Sequence, residues 1–375
     1  MMKLGIDARF FGTLGKGLGR YTQKLIEHLE KIDTENQYYV FLRRENFEEY
    51  VPKNPNFQKV LADFQWYSFA EQLGFPWLLR KYELDLMHFP HFNVPLLYFG
   101  KFVITIHDLI LLHFPTKRAT TLQPIWYKLK FLAYRATIFS AIVRCQKIIT
   151  VSEFTKKDIL GEYPSAKNKI FVTYEACEDL PQNKTQNDAQ ILQKYGIMKP
   201  YLLYVGNAYP HKNLEKLIEA FALVLNQKKE LNLVLIGKED YFYKRLKKFV
   251  EKNKIRNVNF PGFVPDDELQ IFYANATLYV FPSLYEGFGL PPLEAMKNGA
   301  PVISSMSACM PEILGESAHF MNAENEKEIA KVILQVMQDE KLKAELILKG
   351  YAQVKKYSWE KMARETLKIY QDKNI

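Results

Sequence analysis

The 375-residue chain has only three cysteines, Cys145, Cys177 and Cys309. Their spacing makes neither a paired metal knuckle nor a disulfide framework, so no structural metal is expected and a reducing compartment suits the chain. No window approaches the ~20 apolar residues of a spanning helix. The N-terminal run MMKLGIDARFFGTLGKGLGRYTQ holds a short apolar stretch before Asp7 and Arg9, which lacks the apolar core of a secretory leader. The expectation is a cytoplasmic protein able to touch the inner face of a membrane. GxSxG, HExxH and Walker A patterns are missing, which argues against a serine hydrolase, a zinc protease and a P-loop nucleotidase. Acidic residues are missing from one long interval: none stands between Asp108 and Glu153. That interval carries Lys117, Arg118, Lys128, Lys130, Arg135, Arg144 and Lys147, interleaved with Trp126, Tyr127, Phe131, Tyr134 and Phe139. Within a chain of net charge +9, residues 109–152 suit an anionic membrane surface or an acidic acceptor. A core helix with a solvated basic rim is the structural alternative. No nucleic-acid motif accompanies the charge, so nucleic acid is not expected as a partner.

What is present is ordinary globular composition, 48% hydrophobic and 25% charged, in a chain long enough for two domains. Short Val-, Ile- and Leu-rich runs alternate with helical patterns. KLGIDA (3–8), YYVFL (38–42), LDLMHF (84–89), KFVITIH (101–107), KIITVS (147–152) and KIFVTY (169–174) read as strands, whereas residues 44–83 give no clear period. After the polar stretch 178–190 the rhythm restarts with YLLYVG (201–206), LNLVLIG (231–237), VNFPGF (258–263), ATLYVFPS (276–283) and PVISS (301–305). Residues 324–370 read as helical throughout. Two such halves predict two doubly wound α/β domains, with a TIM barrel as the structural runner-up. Ligands of open parallel sheets sit beyond the carboxyl ends of the strands. Residues at those ends are therefore the site candidates.

The first candidate is FPSLYEGFGLPPLEAM, 281–296. A strand ends at Phe281, Ser283 follows, and a loop with Glu286, Gly287, Phe288 and Gly289 leads into a helix near Leu290 that carries Glu294. Early helix amides suit phosphate or sugar oxygens. Glu294 suits a ribose diol, and Glu286 suits sugar hydroxyls or positive charge developing on an anomeric carbon. The structural alternative is a glycine turn with acids at a helix start. The second is VGNAYPHKNLEKLIEAF, 205–221, where a strand ends at Gly206, Lys212 could meet a diphosphate, and Asn213 reads as an N-cap. The third is Gly15, Gly17 and Gly19 after the first strand, with Arg20 beyond. Their spacing is not the GxGxxG dinucleotide fingerprint, which argues against a nucleotide-sugar epimerase or dehydrogenase. The fourth is His107-Asp108 at the end of KFVITIHD; neighbours on an extended chain point apart, so Asp108 is not expected to pair with His107. His88, His91, His107 and His113 show no metal-ligand spacing.

With these residues in order, the chain resembles the retaining glycosyltransferases of family 4, over essentially its whole length. The resemblance rests on Glu286-Gly287-Phe288-Gly289 through Glu294, on Gly206, Pro210-His211-Lys212-Asn213, Gly17-Leu18-Gly19-Arg20-Tyr21, Ile106-His107-Asp108 and Val151-Ser152-Glu153-Phe154. It implies a GT-B fold: two Rossmann-like domains, 1–180 on the acceptor side and 181–355 for the donor, facing across a cleft. A terminal helix in 356–375 would pack back on the first domain. It further implies that His107, Lys212 and Glu286 serve catalysis, and that Gly17, Gly19, Asn207, Lys212, Ser283, Phe288, Gly289, Leu290 and Glu294 bind the donor. Many relatives carry an arginine where Asn207 or His211 stands here, so diphosphate binding leans on Lys212 and helix amides. No cofactor beyond a nucleotide-sugar is implied. GLGRYT and VGNAYPHKN resemble bacterial mannosyltransferases of polysaccharide assembly, which implies GDP-mannose, with UDP-glucose or UDP-N-acetylglucosamine as the alternative. A growing glycan on a lipid carrier is the implied acceptor. A non-catalytic binding protein of the same fold would be expected to lose Lys212, Glu286 or Glu294, and all three are present.

Overall fold

The computed structural model describes residues 1–12, 16–114, 124–177 and 188–372. Gly15, Lys117, Arg118 and most of the polar stretch 178–190 lie outside the described residues. In chain order the strands are β1 (Lys3–Asp7), β2 (Gln37–Leu42), β3 (Phe57–Leu61), β4 (Leu86–Phe89), β5 (Phe102–Ile106), β6 (Lys147–Thr150), β7 (Ile170–Val172), β8 (Tyr201–Val205), β9 (Asn232–Ile236), β10 (Val258–Gly262), β11 (Leu278–Phe281), β12 (Val302–Ser305) and β13 (Ala318–Met321). The helices are α1 (Lys16–Ile32), α2 (Phe69–Arg80), α3 (Ile110–His113), α4 (Pro124–Arg144), α5 (Glu153–Glu162), α6 (Asp188–Lys194), α7 (Leu214–Leu225), α8 (Tyr241–Lys252), α9 (Asp266–Asn275), α10 (Leu290–Lys297), α11 (Met310–Leu314), α12 (Glu326–Gln338), α13 (Glu340–Val354) and α14 (Trp359–Tyr370).

The chain forms two compact units. The first comprises Met1–Leu109, Thr121–Glu175 and Ser358–Ile375; the second comprises Ile110–Thr120 and Ala176–Tyr357. The first holds a parallel seven-stranded sheet in the order β3-β2-β1-β4-β5-β6-β7. Right-handed crossovers put α1 on one face and α2, α4 and α5 on the other. α14 packs beside α1, and its Tyr370 hydroxyl meets His88 Nδ1 on β4 at 2.5 Å. The terminal helix thus belongs to the first unit. Ser152 caps α5 by accepting from Thr155 N, as its position after β6 predicts.

The second unit repeats the plan with six parallel strands, β10-β9-β8-β11-β12-β13. Its central strands are buried on both faces, which explains their near-continuous apolar runs. Three features differ from the sequence expectation. α2 and β3 fill the unread stretch 44–83. β13 was missed: it is a four-residue edge strand paired only with β12, and its two middle residues are half-buried. Asn213 is no side-chain cap. It sits in the left-handed region at φ 60°, and its amide instead donates to the carbonyls of Pro282 and Ala323.

Candidate functional site

In the second sheet β8 lies between β9 and β11, so successive crossovers leave β8 in opposite directions. A crevice forms at such a switch point beyond the strand ends. The loops there are those after Val205 and Phe281, the two segments that carry most of the candidates. They are stitched together: the His211 carbonyl accepts from Leu284 N at 2.8 Å and from Ser283 Oγ at 3.3 Å. Ser283 is thereby a buried brace of the loop.

Lys212 ends the single turn Pro210–Lys212, and its Nζ reaches Glu286 Oε1 at 2.5 Å. Both side chains are nearly buried, 12% and 10% exposed. Lys212 Nζ also lies 5.6 Å from the Phe281 ring centroid. Two candidates distant in sequence thus form one ion pair at the switch point. His211 beside them is buried, and burial, with help from Lys212, pushes its pKa down to about 4. The ring is therefore neutral near pH 7, and Lys212 is the cation this turn offers.

The backbone after β8 is oriented by two tyrosines. Tyr243 Oη donates to the Gly206 carbonyl and Tyr204 Oη to the Asn207 carbonyl, each at 2.8 Å. A trans peptide points its N–H opposite its C=O. The amides of Asn207 and Ala208 are thus turned away from those hydroxyls. The Asn207 side-chain oxygen accepts from Tyr209 N at 3.3 Å.

The loop before α10 turns on Gly289, at φ 92°, where a Cβ would come within 2.4 Å of the Met310 terminal methyl. Leu290 opens the helix, but Pro291 and Pro292 follow and carry no N–H. The supply of early helix amides expected from the sequence shrinks accordingly to that of Leu290 and those of the loop before it. Phe288 is buried against Tyr357, ring centroids 5.4 Å apart, and its carbonyl accepts from Cys309 Sγ. Glu294, also buried, accepts from the Tyr273 hydroxyl at 3.1 Å.

Residues unforeseen from the sequence complete the region. α3 and Phe114 belong to the second unit, where His113 packs on Tyr285 at 5.2 Å and Phe114 packs on Tyr285 and His211 at 5.9 and 6.3 Å. No local signal could have placed ILLHF there, since the placement is a tertiary event.

The remaining candidates lie in the first unit. His107 Nδ1 meets Glu175 Oε1 at 3.0 Å, and Nε2 meets the Pro90 carbonyl at 3.1 Å. The Tyr21 ring stands edge-on to it at 4.7 Å. Asp108 is not its carboxylate; Glu175, the last residue before the chain leaves the unit, takes that place. Gly17 and Gly19 sit in the first turn of α1, not in a loop as the sequence suggested. A Cβ on Gly19 would strike the Gly12 and Phe10 carbonyls at 2.1 and 2.5 Å, so this glycine permits close packing of α1 on the turn after β1. Gly17 is exposed, with open space around its Cα. A cavity of about 930 Å³ beside α7 and α12, lined by Leu223, Gln227 and Leu334, holds none of the candidates.

The comparisons agree with this architecture. The family "Glycosyltransferase Family 4" matches residues 15–177, and "Glycosyl transferases group 1" matches residues 187–353. The Escherichia coli O-antigen chain mannosyltransferase B is 27% identical, with 94% of this chain and 95% of that protein covered. Among solved structures, sucrose-phosphate synthase from Thermosynechococcus elongatus superposes with a TM-score of 0.77 at 18% identity, covering 99% and 98% of the two chains. The Anabaena protein HepE, solved with UDP and glucose, superposes at 0.74 and 16% identity, covering 99% and 100%. The chain is a glycosyltransferase with the GT-B fold, related to bacterial mannosyltransferases of polysaccharide biosynthesis.

Proposed function

We propose that the enzyme transfers a hexose from a nucleotide-sugar, with retention at the anomeric carbon, to a growing glycan on a lipid carrier. The observation that carries this reading is the Lys212–Glu286 pair at the switch point of the second sheet. A donor diphosphate seated at Lys212, near the Leu290 amide and the upturned amides of Asn207 and Ala208, gains compensation for its charge. Glu294 faces the ribose diol, and Glu286 faces the hydroxyls of the transferred sugar. As the bond from the anomeric carbon to the diphosphate oxygen breaks, its electron pair leaves with the diphosphate. The acceptor oxygen attacks on that same side, and its proton passes to a diphosphate oxygen. The protein's part is positional and electrostatic. The assignment of His107 to catalysis and of Gly17 and Gly19 to donor binding rests on motif order.

Two donor readings are carried. Mannose from GDP-mannose is supported by the name of the sequence relative that matches almost end to end. Glucose from UDP-glucose is favoured by the ligands of HepE, whose fold this chain shares. Release of GDP or UDP from a panel of nucleotide-sugars separates them. Turnover of GDP-mannose alone supports the first and turnover of UDP-glucose alone the second. Failure of the folded protein to bind any nucleotide-sugar of the panel contradicts the whole reading. Electrostatic attraction of residues 109–152 to anionic lipid belongs to the same proposal. Equal binding to neutral and anionic vesicles would remove that attraction.

A further inference from the structure

Three successive backbone carbonyls at the end of β8 each accept from a tyrosine hydroxyl. Tyr279 on β11 donates to Val205 at 3.4 Å, Tyr243 on α8 to Gly206 at 2.8 Å, and Tyr204 on β8 itself to Asn207 at 2.8 Å. All three side chains are buried. Burial pushes each phenol above its ordinary range, so each keeps its proton and remains a donor. Phenylalanine would fill the same volume with no hydroxyl to desolvate. The three oxygens therefore call for a reason beyond packing.

The surroundings are shaped to the same end. Asp240 caps α8 by accepting from Phe242 N and Tyr243 N, which fixes the turn that carries Tyr243. At Gly237, just after β9, an added Cβ would stand 2.2 Å from the Gly206 carbonyl oxygen and 2.4 Å from the Tyr243 hydroxyl. A larger residue there would part the pair. The consequence falls on the N–H groups of the same peptides. The Val205 carbonyl shares its peptide with Gly206 N, which closes the sheet by donating to the Ile236 carbonyl at 2.9 Å. The next two peptides join the Gly206 and Asn207 carbonyls to the N–H groups of Asn207 and Ala208. Each N–H points opposite its carbonyl. Neither has an acceptor among the described residues, and both residues keep some exposure. Adjacent free amides of this kind cradle an anion.

We infer that Tyr243, with Tyr204 and Tyr279, is a positioning residue for the donor diphosphate. The hydroxyls pin the carbonyls inward, so that the Asn207 and Ala208 amides are fixed as donors to phosphate oxygens. The inference rests on the proposed function for its ligand. It adds side chains that touch no ligand themselves, one of them on a helix outside both site loops. Lys212 is a compact point charge that attracts an anion without fixing where its oxygens lie. Two held amides supply direction, and they need no rearrangement as charge moves onto the departing phosphate. Without the Tyr243 hydroxyl the Gly206 peptide is loosened, and the donor must order it on binding. The competing role for these tyrosines is to tether β8 to its neighbours and nothing more. Tyr201 supplies the comparison. It is buried at the opposite end of β8, and its hydroxyl donates to the Phe272 carbonyl at 2.7 Å.

The test compares the full-length protein with its Tyr243→Phe, Gly237→Ala and Tyr201→Phe variants. The probes are GDP and UDP, read by calorimetry, and the nucleotide-sugar that wild type turns over. Tyr243→Phe should weaken binding of the nucleoside diphosphate that wild type takes by roughly tenfold. Donor KM should rise by a similar factor, with a smaller fall in kcat. Gly237→Ala should act in the same direction although it removes no polar atom. Tyr201→Phe should lower the unfolding midpoint as Tyr243→Phe does, yet leave diphosphate binding within twofold of wild type. Asn207→Arg added to Tyr243→Phe supplies a phosphate donor from a side chain and should recover most of the lost affinity. A merely structural defect would not be rescued in that way. Equal diphosphate binding by wild type and Tyr243→Phe would overturn the inference and leave the sugar-transfer reading intact. So would equal losses in Tyr243→Phe and Tyr201→Phe, which would make both tyrosines tethers. A folded wild type that binds neither GDP, UDP nor any nucleotide-sugar would overturn the proposed function together with the inference.

Discussion

Each unit places charged residues at the switch point of its sheet, after β1 in the first and after β8 in the second, and the two clusters are built to different ends. After β1, Arg9 is wholly buried and engages four of its five N–H groups. It gives Asp7 two bonds of 2.8 and 2.7 Å, reaches Glu71 at 2.8 Å, meets the Phe64 carbonyl, and lies over Phe75. Glu71 is further held by Asn93 and the Tyr67 amide. Burial still pushes the Glu71 carboxyl above its usual range against the pull of Arg9. After β8, Lys212 has one carboxylate partner among the described residues and retains some exposure. A cluster sealed from solvent gives a ligand no approach, so it organises the fold. An ammonium with spare N–H groups can still accept an anion. The difference teaches which buried ion pair to read as a site.

Arg9→Ala gives the largest expected effect. It leaves two carboxylates buried without their cation, a loss of about 3–5 kcal/mol by analogy with other broken buried pairs. Denaturant unfolding checks this, and an unchanged midpoint would make the two clusters alike. A smaller effect comes from acid. Burial pushes His88 and His91 down to about 3 and His211 to about 4. Unfolded histidine binds its proton near pH 6.5, whereas these folded rings stay neutral until far lower. Stability is therefore intact above 6.5 and declines as pH falls toward 4, by about 1.4 kcal/mol per pH unit for each ring. Melting temperatures across that window should fall, and His88→Gln should flatten the slope by one ring's share. The smallest is Ser152→Ala, which removes the α5 cap at a cost of about 1 kcal/mol. Asn213→Asp leaves no side-chain cap to lose and should act only through the carbonyls of Pro282 and Ala323; calorimetry distinguishes the two positions.

The strands were legible because parallel strands buried on both faces must be continuous apolar runs, and α10 began where Gly289 and the prolines predicted. α2 was not legible, because a helix apolar on both sides has no 3.6-residue contrast to find. Lys212, Glu286 and Glu294 could be picked out because strand ends and helix starts are local features. The pairing of Lys212 with Glu286 could not, nor could the Glu175 partner of His107, since both join segments far apart in the chain. The loop expected at Gly17 and Gly19 is instead the first turn of α1, because a glycine such as Gly19 that permits close packing of a helix looks the same in sequence as one that lines a phosphate loop.

The most direct test is the turnover of Lys212→Ala at saturating donor, measured beside its unfolding midpoint. If Lys212 contacts charge developing on the departing diphosphate, turnover falls by about 10²–10³, equivalent to ~2.7–4 kcal/mol of lost stabilisation, while the protein remains folded. Turnover within twofold of wild type would place the diphosphate elsewhere and contradict the account.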